Sequence, residues 1–116
     1  MERKVKDNYN GIYSTNTYKI NDIVHTLDGP ISNIPTRTSI EIGQNKHIED
    51  DLGIYINHSF NPSCKIENGC VVAVKEIDIN HEITFNYNVS ETSMATPFID
   101  TDTKILVSGN SHTASI

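Results

Sequence analysis

The sequence predicts a mostly β domain made of several small sheets with little helix, and three observations carry that reading. Apolar residues come in short clusters instead of the sustained 3.6-residue spacing of an amphipathic helix. Turn-forming Asn, Gly, Asp and Pro interrupt the clusters often. The clusters themselves are rich in β-branched and aromatic side chains, which suit a pleated, half-buried surface.

Taken in order, residues 11–14 and 22–27 read as strands. Asp28-Gly29-Pro30 and Ile34-Pro35 then break regular structure into a loop. Residues 38–42 form a third strand, and residues 49–56 have room for one helical turn, with Glu49-Asp50-Asp51 as a solvated turn that could also face a substrate. Residues 69–77 read as a strand in which Val71, Ala73 and Val74 are well buried. Residues 1–107 thus make the domain with a short tail, and residues 108–116 are polar and small enough to fray.

At 116 residues the chain can bury one modest core, not two. Its 15 acidic and 9 basic side chains leave a net charge of -6. That balance argues against sequence-independent nucleic-acid binding, which relies on Lys and Arg at phosphates. It is compatible with a basic protein partner such as a lysine-rich tail. Residues 1–7 are charged, with no apolar run behind them to serve as a signal peptide or membrane span. A soluble, intracellular protein away from membranes is therefore expected, cytoplasmic or, in a eukaryote, nuclear. Cys64 and Cys70 are too few for a disulfide framework and lack C-x-x-C spacing. Asn57-His58-Ser59 and Asn88-Val89-Ser90 have the form of glycosylation acceptors, but an asparagine-rich chain produces such triplets by chance.

The informative stretch runs from Tyr55 to Tyr87. Tyr55-Ile56-Asn57-His58-Ser59-Phe60-Asn61-Pro62 is followed, across a strand, by Ala73-Val74-Lys75-Glu76-Ile77-Asp78-Ile79-Asn80-His81-Glu82-Ile83-Thr84-Phe85-Asn86-Tyr87. Upstream stand Gly11-Ile12-Tyr13-Ser14, Ile20 and Asp22-Ile23-Val24. Three ordered blocks with this internal spacing resemble the SET domain family of protein-lysine methyltransferases, whose pattern is an aromatic, then I-N-H-S-C-x-P-N, later A-x-R-D-I-x-x-G-E-E-I-T-F-D-Y, and first G-L-F-A. The resemblance implies a β-clip, in which small sheets surround a knot-like crossing of the Asn57 and Tyr87 blocks. It implies S-adenosylmethionine as cofactor, held near Gly11, Tyr13, Asn57 and His58, and a protein substrate that presents an accessible lysine. It also gives Tyr87 the role of orienting the lysine amine, and Phe85 that of setting how many methyl groups are added. Some of the smallest members of the family are dimers that complete the substrate groove, so a homodimer is compatible.

Departures from the pattern qualify the resemblance. Asn21 and Asn80 stand where the family has turn glycines, and asparagine is the side-chain-bearing residue that best tolerates a left-handed backbone. Tyr9 stands at a loop glycine, His81 at a glutamate and Asn86 at an aspartate. The family often holds zinc through a cysteine after Asn-His-Ser and three in the tail. Here the first position is Phe60 and no cysteine follows Glu91, so no metal is expected there and the tail should close by packing through Pro97-Phe98 and Ile105-Leu106-Val107.

Read without the family pattern, Phe85 and Tyr87 are packing residues of a strand and His58 an ordinary histidine. His47, His58 and His81 have no metal-ligand spacing, and Ser59 lacks the G-x-S-x-G elbow of a hydrolase. Two function classes stand: a lysine methyltransferase, and a catalytically idle SET-like module that binds cofactor or a partner.

Overall fold

A computed structural model of the chain describes residues 1–110. It opens on a hairpin of β1 (Glu2–Lys6) and β2 (Tyr9–Tyr13), with Lys6 opposite Tyr9. The loop residues Asp7 and Asn8 both take positive φ, 51° and 69°, the two-residue geometry whose twist matches that of paired strands. There follow β3 (Ile23–Thr26), β4 (Ile31–Ser32), β5 (Ile40–Gly43), β6 (Lys46–Ile48), a 3-10 turn at Gly53–Tyr55 and β7 (Asn57–His58). The chain continues through β8 (Cys64–Glu67), β9 (Cys70–Ala73), β10 (Glu82–Phe85), the helical turn α1 (Tyr87–Ser90), β11 (Phe98–Ile99) and β12 (Leu106–Val107).

These strands form small sheets in the orders β1-β2-β10-β7, β3-β9-β8 and β4-β6-β5, with β11 and β12 as a hairpin. Mostly β with little helix is therefore the fold class observed. Among the described residues the strand pairings are antiparallel but for one: β10 runs parallel to β7, with Thr84 opposite Asn57 and Phe85 opposite His58. Parallel neighbours need a crossover connection, supplied here by the stretch that carries β8 and β9. The Ser59 amide extends the pairing by donating to Phe85 O at 3.1 Å. This is the juxtaposition that the family crossing requires.

The core lies between the sheets. Ile12, Val71, Ile77, Ile83 and Phe85 are buried with Ile40, Ile48 and Ile56. Full burial of one such side chain contributes roughly 1.5–3 kcal/mol. Ile12 and Ile83 also face each other across β2 and β10, so core packing fixes the register of the strands that carry the site.

The strands expected at residues 11–14, 22–27 and 38–42 lie within two residues of β2, β3 and β5. The strand expected at 69–77 ends at Ala73. Val74 is exposed, not buried, because its amide turns to Ser63 O, and Ile77 meets Tyr18 in an isolated bridge. Asn21 and Asn80 have φ of 74° and 67°, so both keep the left-handed turn of the glycines they replace. The 49–51 segment is only partly a solvated turn, since Asp50 is buried. Its carboxylate accepts the amides of Asp28, Leu52 and Gly53 and the His25 Nε2 proton. Burial raises its pKa, but these bonds together outweigh that and hold it below the usual carboxylate range.

In the tail, Asn88 Nδ2 donates to Leu106 O, while its Oδ1 accepts from the amides of Ser108 and Gly109. Ser108 and Gly109 are buried against α1; of the stretch expected to fray, residues 111–116 lie outside the described residues. No helix among the described residues is long and apolar enough to cross a membrane.

Candidate functional site

Side chains alternate across a strand, so β10 serves two faces at once. Glu82 turns to one side, and the buried Ile83 and Phe85 to the other.

On the Glu82 side, Asn57 Nδ2 donates to Glu82 Oε2 at 2.9 Å and to Asn10 O at 2.8 Å. Gly11 lies against them. A Cβ there would stand 3.0 Å from Glu82 Oε2, 3.1 Å from Tyr13 Cε2 and 3.4 Å from Asn57 Nδ2. A side chain at position 11 would thus crowd Glu82 and Tyr13 and touch Asn57. The Tyr13 ring is covered by the Lys6 ammonium, 4.2 Å from its centroid. Burial, then the charges of Glu82 and Asp7, raise the Tyr13 pKa. Of the four residues named from the sequence for the cofactor, Gly11, Tyr13 and Asn57 lie together here, with Glu82 beside them. It was legible only as part of the Glu-Ile-Thr-Phe block.

His58, opposite Phe85 in the β7–β10 register, lies on the Phe85 side, away from Gly11, Tyr13 and Asn57. Its Nδ1 accepts the Tyr87 amide at 3.0 Å, which leaves the proton of the neutral ring on Nε2. Burial lowers its pKa, with Asp100 opposing, and so favours the neutral form. Nε2 is buried without a hydrogen-bond partner among the described residues. The ring packs edge-on against Phe60 at 4.3 Å, Tyr87 at 5.2 Å and Phe98 at 6.1 Å between centroids. Phe60 occupies the position where the family's cysteine would stand, so the tail is joined to this region by aromatic packing.

The Phe85 side opens into a small cleft lined by Phe85, Tyr87, Ile40, Ile56, Arg37 and Glu91, and by residues 94–96 of the tail. Tyr87 opens α1 instead of continuing the strand. Asn86, extended at φ -88°, accepts the Asn88 amide at 2.9 Å and caps the turn. Asparagine in place of aspartate thus still performs a capping role. The Tyr87 hydroxyl donates to Ile56 O, and burial, reinforced by Glu91 and Glu82, pushes its pKa well up. Phe85 lies 4.8 Å from the Tyr87 ring. Glu91 is 5% exposed, and no sequence signal marked it, since its burial comes from the tail and β5 closing over it.

Among the described residues no group of three or more His, Cys, Asp or Glu is arranged to hold a metal ion. What suits a polar cofactor is His58 Nε2, a buried donor without a hydrogen-bond acceptor among the described residues; Gly11 itself is buried, its Cβ space taken by Glu82 and Tyr13.

Among solved structures the chain is similar to a humanized mutant of the Chaetomium thermophilum Polycomb Repressive Complex 2 bound to the inhibitor GSK126. The TM-score is 0.52 at 16% identity, over 86% of this chain and 17% of that one. At that identity the likeness concerns the fold alone, and this chain spans well under a quarter of its neighbour. No curated protein sequence matches it. The family model of the SET domain matches residues 3–88. That span holds both blocks that meet as β7 and β10, and by this match the chain belongs to the SET domain family.

Proposed function

We propose that the chain is a protein-lysine N-methyltransferase that uses S-adenosylmethionine. The supporting observation is the parallel pairing of Asn57-His58 with Thr84-Phe85, which sets the polar Gly11 face and the Tyr87 cleft on opposite sides of one strand pair. In this reading Gly11, Tyr13, Asn57 and His58, joined by Glu82, hold the cofactor, which supplies the methyl group when bound. Asn57 Oδ1 and the Glu82 carboxylate suit an ammonium, and the His58 Nε2 proton, which has no acceptor among the described residues, suits an acceptor.

The protein's own contribution is to align a neutral amine with the methyl carbon and exclude water. Tyr87, its hydroxyl held by Ile56 O, orients that amine. Phe85 has no hydroxyl to fix a water in the cleft, so a methylated amine can be accommodated and higher methylation states are permitted. The substrate is a protein with an accessible lysine in a basic segment, which suits the chain's net charge of -6. A homodimer that completes the groove, and an intracellular, soluble setting, belong to the same reading.

The test is transfer of labelled methyl groups from S-adenosylmethionine to proteins of a mixed lysate. Tyr87→Phe should lower turnover about a hundredfold or more, equivalent to about 3 kcal/mol, with cofactor affinity nearly unchanged. If Tyr87 serves packing alone, the variant loses about 1 kcal/mol of stability and transfers normally. Cofactor binding by the unmodified chain with no transfer would favour the idle module.

A further inference from the structure

The cleft in front of Tyr87 contains a carboxyl that the chemistry above does not use. Glu91 is buried beside Phe85, Tyr87, Ile40 and Ile56. Its Oε2 accepts the Glu41 amide at 2.9 Å and the Ser90 hydroxyl at 3.1 Å, which holds the side chain in place. No described residue hydrogen-bonds Oε1. The neighbouring Glu41 carboxylate is turned away, to the amide and hydroxyl of Thr92. Arg37 lines the same cleft but forms no ion pair with Glu91 among the described residues. A carboxylate in such a wall is costly unless a cation answers it.

We propose that Glu91 receives the substrate's lysine ammonium in this cleft and takes one proton from it, a role that rests on the methyltransferase reading. An ammonium has no lone pair and cannot attack. Transfer of one proton to the Glu91 carboxylate leaves a neutral amine and a carboxylic acid. The nitrogen lone pair then bonds to the methyl carbon of the sulfonium donor as the carbon–sulfur bond breaks, and that electron pair stays on sulfur. The methylated ammonium departs, and Glu91 returns its proton to water at the open mouth of the cleft.

The surroundings suit a group that must take and release a proton near neutrality. Burial pushes the Glu91 carboxyl up to about 7, against the hydrogen bonds from the Glu41 amide and Ser90 and with the help of the Glu41 charge. The other ionisable groups facing it are Tyr87 from α1 and Arg37 from the loop before β5.

The experiment uses n-butylammonium, the charged end of a lysine side chain, with n-butanol as its uncharged counterpart. In NMR titrations of the whole chain, n-butylammonium should perturb the cleft residues and lower the midpoint of Glu91, whereas n-butanol should leave that midpoint in place. Glu91→Gln keeps an acceptor for the Glu41 amide and should bind n-butylammonium at least tenfold more weakly. Glu91→Asp, which keeps the charge, should recover part of the difference. Equal binding of n-butylammonium by wild type and Glu91→Gln would overturn the ammonium contact.

The proton transfer is read separately, from the pH profile of kcat/KM for methylation of a pool of lysine peptides. Glu91→Gln should lose the ascending limb near pH 7 and recover rate at higher pH, where free amine is more abundant. An unchanged limb would reject the proton-acceptor role. Absence of transfer by wild type with cofactor bound would instead reject the methyltransferase reading and the proton transfer with it, while the n-butylammonium comparison still decides the contact.

Discussion

Glu91 and Asp50 are both buried carboxyls, 5% and 4% exposed, yet their surroundings push them in opposite directions. Asp50 has three backbone amides and His25 to stabilise its charge; Glu91 has one amide and one hydroxyl, with a second carboxylate nearby. The consequences for stability have opposite signs. Between the ordinary 4.5 and about 7, native Glu91 holds a proton that the unfolded chain has released, so its contribution falls as pH rises through that window. At about 1.4 kcal/mol per unit the loss is of order 3 kcal/mol. Asp50 contributes above its ordinary value of 3.8 and loses that contribution as pH falls below it. Urea midpoints measured from pH 4.5 to 8 should therefore decline through the Glu91 window, and Glu91→Gln should flatten the decline. The same slope in the variant would assign the effect to other groups.

Asn88 plays at the scale of elements the part that Asp50 plays locally, because one side chain joins α1 to β12 and the two residues after it. Asn88→Ala removes the donor to Leu106 O and the acceptor of the Ser108 and Gly109 amides. With the Ser108 and Gly109 residues buried, the loss should be about 1–3 kcal/mol. It should be felt locally: the β11–β12 hairpin should open and become sensitive to protease at urea concentrations where the core is still folded. Cleavage of the tail at the same rate in both proteins would count against this. The elements also differ in how plainly the sequence announces them. β2, β3, β5 and β9 contain short β-branched or aromatic runs, and each lies near its expected position. β1 was not legible, since Glu-Arg-Lys-Val-Lys carries the charges of an exposed sheet edge. β8 escaped notice although Asn68-Gly69, both at positive φ, forms the two-residue turn that pairs it with β9. Tyr87 read as a strand residue until the cap by Asn86 turned the chain into α1. The motif blocks made Asn57, His58, Phe85 and Tyr87 visible, but Glu91 depends on a tail contact that no local pattern encodes.

For the molecule as a whole, the question is how the tail is kept in place. The position of the first zinc cysteine holds Phe60, which packs on His58; Phe98 of the tail packs on the same ring, and Val107 is fully buried. Together with the Asn88 bonds, these contacts give the tail an attachment that needs no metal. Cys64 and Cys70 are poorly placed to provide an alternative. Cys64 pairs with Ala73 and Cys70 with Glu67, so they lie at opposite ends of the β8–β9 hairpin, three residues or about 10 Å apart along the strands. That separation also exceeds what a disulfide can bridge. Burial pushes the Cys64 thiol up to about 11, so its metal-binding thiolate form is disfavoured near neutrality. A chelator should therefore leave the melting temperature and the tail's protease resistance unchanged, and elemental analysis should find no stoichiometric zinc. Phe98→Ala should loosen the tail instead, because it removes an aromatic partner of both His58 and Tyr87. One zinc per chain, lost together with tail protection on chelation, would overturn this account and require ligands beyond the two cysteines.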